Sequence, residues 1–103
     1  MASFLKATHN LADMLVLIRQ GRYKTTKVAR EGATRLGLGL DGMIAIVLDL
    51  PHSGFFYKTM ESEKNPGHWM DVYHAVTPND EDVYLKLMIQ NGVLIVSFKE
   101  LSP

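Results

Sequence analysis

The chain has 103 residues, enough for one core without covalent staples. It contains no cysteine, which excludes a disulfide framework, a thiolate metal site and a thiolate nucleophile. Net charge is zero, but residues 1–36 hold seven Lys or Arg against two Asp or Glu, and residues 37–103 hold four against nine. Such polarity can turn a basic patch toward phosphate despite the zero sum, although a solvated helix surface accounts for it equally well. No apolar run approaches ~18 residues and no signal peptide is evident, so the expectation is one soluble, intracellular domain over residues 1–103, with no membrane partner.

Residues 1–9 show no period and are expected to pack loosely. Asn10 can cap a helix running to about Gln20, with Leu11, Met14, Leu15 and Ile18 on its core face and Gly21 ending it. Arg22-Tyr23-Lys24-Thr25-Thr26 reads as a basic connector. Thr25 or Thr26 can cap a second helix to about Leu36, closed by Gly37, with Val28, Ala29, Ala33 and Leu36 as its apolar stripe. Leu40-Asp41-Gly42 reads as a turn, and Met43 to Leu50 is apolar enough for a central strand covered on both faces. Ser53 can then cap a short helix carrying Phe55, Phe56 and Met60, with Lys58 on another side.

After a polar loop containing Pro66-Gly67, His68 to about Val76 alternates as a strand. Its odd positions, Trp69, Asp71 and Tyr73, are expected to be buried, so Asp71 needs hydrogen-bond partners. Val83 to Lys99 reads as a hairpin turning at Asn91-Gly92, the pair that best tolerates two positive φ angles in a type I′ turn. A two-residue loop sets Leu85 opposite Phe98, Leu87 opposite Val96 and Ile89 opposite Leu94 on an apolar face. It also sets Met88 opposite Ile95, Lys86 opposite Ser97 and Tyr84 opposite Lys99 on a wetter face, where paired Cβ atoms stand about 5 Å apart. The expected order is α-α-β-α-β-β-β, an α+β domain whose helices are segregated from a mostly antiparallel sheet.

Metal chemistry has little support. His68 and His74 share a face but lie six residues apart, about 20 Å along a strand, whereas zinc ligands must each come within about 2 Å of the ion. No glycine-rich phosphate loop or nucleophile elbow occurs. What remains near one wet sheet face is Lys58, Tyr84, Lys86 and Lys99, with His68 or His74 nearby. Cations and a phenol suit RNA cleavage by an internal 2′-hydroxyl, which needs proton removal, stabilisation of phosphoryl charge and protonation of the leaving oxygen. Clustered lysines depress one another's pKa, so one can act as base while another stays charged.

Leu38-Gly39-Leu40-Asp41-Gly42-Met43, Phe56-Tyr57-Lys58-Thr59-Met60, Trp69-Met70-Asp71-Val72-Tyr73, Val83-Tyr84-Leu85-Lys86 and Val93 to Glu100 occur in that order. In these blocks the chain closely resembles the MqsR family of motility quorum-sensing regulator toxins. The resemblance implies a RelE-like α+β fold: two N-terminal helices on a mostly antiparallel sheet, with a short helix after the first strand. It implies an mRNA interferase that cuts single-stranded mRNA at short GC-containing sites and is silenced by a zinc- and DNA-binding, MqsA-like antitoxin. DNA would then be met only through that antitoxin, and the chain would work in the cytoplasm without a cofactor or metal. The family's catalytic residues fall on Lys58, Tyr84 and Lys99. Where the family motif has glutamine, this chain has Met70, which cannot donate a hydrogen bond.

Substrate-binding candidates are therefore Met70, His68, His74 and Lys86 on or beside the sheet, with Arg22, Lys24 and Lys27 guiding the RNA backbone. Which lysine is base and which is acid stays open at this level. The rival from another class is a catalytically inactive homologue that regulates transcription as the antitoxin's partner; Met70 is the feature that favours it.

Overall fold

A computed structural model describes residues 3–101, with side chains from residue 5. It shows α+β architecture, with every helix preceding a four-stranded meander. The elements are β1 (Ser3–Phe4), α1 (Leu11–Arg19), β2 (Tyr23–Thr25), α2 (Lys27–Arg35), α3 (Leu40–Leu48), α4 (Leu50–Ser53), β3 (Phe55–Glu61), β4 (Trp69–Val76), β5 (Asp82–Ile89) and β6 (Val93–Glu100). One sheet holds all six strands in the order β1-β3-β4-β5-β6-β2, antiparallel except where β2 runs parallel to β6.

The first two helices form where their caps say they should. The Asn10 side chain accepts from the Asp13 amide, and the Thr26 hydroxyl accepts from the Ala29 amide. Both helices end in Schellman motifs. Gly21 and Arg22 donate to the carbonyls of Ile18 and Leu17, and Gly37 and Leu38 donate to those of Thr34 and Ala33. The buried stripe of α2 is Ala29, Gly32, Ala33 and Leu36; Val28, expected inside, is 65% exposed. Gly32 sits inward because α2 lies against the backbone of β6, where a Cβ would collide with the Phe98 carbonyl oxygen.

Two expected elements exchange identity. Met43 to Leu50 is not a central strand but most of α3 and the start of α4. Its fully apolar run hides a helical period, because Met43, Ile46, Val47 and Leu50 face the core at i, i+3, i+4 and i+7. Each such side chain contributes about 1.5–3 kcal/mol on burial, which outweighs the strand preference of Ile44, Ile46 and Val47. The short helix expected to carry Phe55, Phe56 and Met60 is instead β3, preceded by the single turn α4 with Pro51 at its start. The connector after Gly21 is also partly ordered, as the edge strand β2.

The N-terminal segment is tied down rather than loose; residues 1 and 2 lie outside the described residues. β1 pairs with β3, and Asp71, fully buried as expected, accepts from the backbone amides of Thr8 and His9 at 2.9 and 2.8 Å. Two amide donors satisfy a carboxylate that would otherwise be costly to bury.

The β5–β6 hairpin keeps the expected pairs near the site and changes those near its turn. Tyr84 pairs with Lys99, Leu85 with Phe98 and Lys86 with Ser97, but Leu87 pairs with Ile95, Met88 with Leu94 and Ile89 with Val93. The loop spans Gln90, Asn91 and Gly92, and its extra residue is offset by a bulge that leaves Val96 unpaired on β6. Asn91 and Gly92 do adopt positive φ, 55° and 108°. Gly92 is doubly constrained, since a Cβ there would also lie 2.7 Å from the carbonyl oxygen of Arg22, just before β2.

The bulge divides the apolar residues of β6 between the two faces. Val93, Ile95 and Phe98 join Leu85, Leu87, Tyr73 and the helices in the main core. Leu94 and Val96 turn the other way, toward a small cluster of Met60, Met70, Val72 and Met88.

Candidate active site on the open sheet face

The sheet face opposite the helices carries three rows, each set by strand register. In the central row Lys58 of β3 pairs with Val72, Val72 with Lys86, and Lys86 with Ser97. In the row on one side Phe55 pairs with His74, His74 with Tyr84, and Tyr84 with Lys99. On the other side Met60 pairs with Met70, Met88 with Leu94, and Leu94 with Lys24 of β2. Amines thus lie between a row of aromatic rings and a floor of thioethers.

The polar contacts are short enough to matter. Lys99 Nζ lies 5.2 Å from the centroid of the Tyr84 ring, and Lys86 Nζ lies 5.8 Å from the same ring. Lys58 Nζ lies 5.6 Å from the Tyr57 ring. At such distances a cation is attracted to the ring face. Partial burial, with a smaller contribution from Tyr57, pushes the Tyr84 phenol above its usual range, so at neutral pH it is a hydrogen-bond donor rather than a base. Burial likewise pulls the Lys86 amine down, Lys99 and Lys58 add to that shift, and Glu63 opposes it.

His74 is caged. Its ring stacks on Tyr57 at 4.5 Å and meets Phe55 edge-on at 5.0 Å, with Tyr84 tilted at 5.9 Å. Its Nε2 is buried with no hydrogen-bond partner among the described residues, although the residue as a whole is partly exposed, and its ring supports Tyr57. Tyr57 itself is 47% exposed. A bulge between Phe56 and Lys58 leaves it outside the regular pairing and lets it lean over His74. The sequence reading missed this aromatic group because it assigned Phe55–Met60 to a helix; read as a strand, Phe-Phe-Tyr-Lys gives the signal.

The other sequence candidates divide. Lys24 belongs to the open face, because its neighbour Tyr23 packs on the main core and its partner Leu94 on the thioether cluster. Arg22 is exposed just before β2, and Lys27 lies on the outer surface of α2 with Arg30, Glu31, Thr34 and Arg35. His68 is exposed in the turn before β4. Met70 is only 6% exposed, within the thioether floor. Among the described residues no group of three or more His, Asp or Glu is placed to hold a metal ion, and no helix is long and apolar enough to cross a membrane. A groove lined by Leu38, Ile46, Asp49, Ser53 and Thr77 carries none of the candidate groups.

One-sided helical packing beneath an open sheet face lined by amines and phenols defines a class of small α+β proteins. Within that class the chain belongs to the MqsR toxin family. The family model described as motility quorum-sensing regulator, toxin of MqsA, matches residues 6–100. The mRNA interferase toxin MqsR of Escherichia coli (strain K12) is 39% identical over 90 residues, which cover 87% of this chain and 90% of that protein.

Proposed function

We infer that the chain is an mRNA interferase: a toxin of a toxin–antitoxin pair that cleaves single-stranded mRNA in the cytoplasm, at short GC-containing sites, and is held inactive by a cognate MqsA-like antitoxin. Residues 1–103 act as one toxin domain. Family membership and the activity named for the relative support the class of function. The observation that carries the site assignment is the Tyr84–Lys99 cross-strand pair, with Lys86 and Lys58 on the same face.

The chemistry follows from charge. RNA lies across the open face, with Lys24 receiving one backbone phosphate and Arg22 and Lys27 steering from the flank. His68 stands beside the thioether floor, within reach of a base, while His74 and Lys86 line the centre. Lys58, Tyr84 and Lys99 act on the scissile phosphate. Ammonium groups and the Tyr84 hydroxyl stabilise negative charge on the phosphoryl oxygens while the 2′-hydroxyl attacks. The products are a 2′,3′-cyclic phosphate and a 5′-hydroxyl.

The test is incubation of the purified chain with a defined RNA in the presence of EDTA. Fragments ending in cyclic phosphate are expected. No cleavage, together with tight antitoxin binding, would replace this reading with the non-catalytic co-regulator that Met70 favours.

A further inference from the structure

We propose that Lys86 is the general base of the cleavage reaction and Lys99 its general acid. The assignment rests on the ribonuclease reading above and specifies which amine does what. Lys86 is the middle amine of the face: its row runs from Lys58 through Val72 to Lys86 and Ser97. It is half-buried, and its amine makes no hydrogen bond or ion pair to a described residue. Lys99, by contrast, is exposed at the end of β6.

Lys99 is the diagonal, same-face neighbour of Lys86, a relationship that separates two backbone positions by about 7–8 Å, so both long side chains can reach one phosphate group. Both also lie over one ring, that of Tyr84. An in-line displacement at phosphorus needs a base on the side of the attacking oxygen and an acid on the side of the leaving oxygen. Two amines flanking one phosphate meet that need.

The charged and titratable groups around Lys86 set its protonation. Lys58 faces it from β3, His74 from β4, Tyr84 from its own strand, Lys99 from β6 and Glu63 from the β3–β4 loop. Burial and the two lysines favour the neutral amine, and Glu63 alone works against it. Neutral Lys86 takes the proton of the 2′-hydroxyl. The freed oxygen forms a bond to phosphorus, and the bond from phosphorus to O5′ breaks. O5′ keeps that electron pair and takes a proton from the Lys99 ammonium. Lys86 ends charged and Lys99 neutral, and exchange with water restores both. Lys58 and the Tyr84 hydroxyl remain on the non-bridging oxygens throughout.

Two variants test this. Arginine keeps charge and reach but cannot be deprotonated, so Lys86→Arg should bind a 2′-deoxy-substituted RNA as the parent does while losing about 10²-fold or more in cleavage. Retained cleavage would overturn the base assignment and leave the ribonuclease reading intact. Because the chain has no cysteine, Lys86→Cys followed by aminoethylation installs a single, less basic amine at the same reach. The acid limb of its kcat/KM profile should move to lower pH. An unmoved limb overturns the assignment, and a parent chain that leaves RNA intact overturns both readings.

Discussion

The Thr26 hydroxyl donates to the Val96 carbonyl at 2.8 Å while accepting from the Ala29 amide at 3.0 Å. One side chain thus caps α2 and holds the carbonyl of the bulged residue of β6. That bulge returns β6 to the register in which Tyr84 meets Lys99. Thr26→Val should therefore cost more than a cap alone, about 1–2 kcal/mol for the cap plus roughly 1 kcal/mol for the orphaned carbonyl. Thr26→Ser, which keeps both bonds, should stay near the parent. Chemical denaturation of the two variants checks the difference.

Lys58→Ala, Tyr84→Ala and Lys99→Ala should each lower cleavage by about 10²-fold or more, since in the proposed mechanism each removes a group that meets the phosphoryl transition state. All three side chains lie on the open face, outside the main core, so thermal midpoints should stay close to the parent. Full activity in all three would end the site assignment.

The salt dependence of RNA binding should distinguish the basic residues that the sequence groups together. Lys24 registers onto the open face, whereas Lys27 lies on the outer surface of α2. Lys24→Ala should lower the slope of log affinity against log salt by about 0.7, one phosphate contact on a single strand. Lys27→Ala should change it less. Equal slopes for both variants would place the RNA elsewhere.

Met70→Gln, which restores the residue of the family motif, should not raise activity on its own. The side chain packs with Met60, Val72 and Met88 and is 6% exposed. An amide buried there without partners costs about 1–3 kcal/mol. The expected result is a lower midpoint in urea with cleavage unimproved; a more active, equally stable variant would show that the amide reaches the RNA.

Tyr73 gives the fold an alkaline limit. Burial, reinforced by the neighbouring Asp71 carboxylate, pushes its phenol up from 10.0 to about 12. The folded chain therefore holds a proton that the unfolded chain releases. The associated stability is complete below pH 10 and is lost as the pH rises through about 12. Tyr73→Phe should remove this part of the alkaline decline, which denaturation at pH 9 and pH 11 would resolve.

The sequence alone determined the α+β class, the cap at Asn10, a second cap at Thr25 or Thr26 (the structure chose Thr26), the burial of Asp71 and the Tyr84–Lys99 pairing. These are local properties: a cap, a two-residue alternation and a turn dipeptide act within a few residues. It located the hairpin but missed two compensating irregularities, the three-residue loop and the bulge at Val96, because neither changes the alternation at the far end. Only the tertiary structure decided that Met43–Leu50 is helical, since a wholly apolar run fits a buried strand or a buried helix until a sheet face is available to cover. The same assignment released Phe55–Glu61 to become β3, which brings Lys58 into line with Lys86 and gathers Tyr57 and Phe55 around His74. Lys24 was legible as basic but not as part of the face, because its position depends on a parallel pairing with β6 some seventy residues away. Contacts of that separation are set by which surfaces the packed helices leave uncovered, a property of the whole chain that no short stretch of sequence encodes.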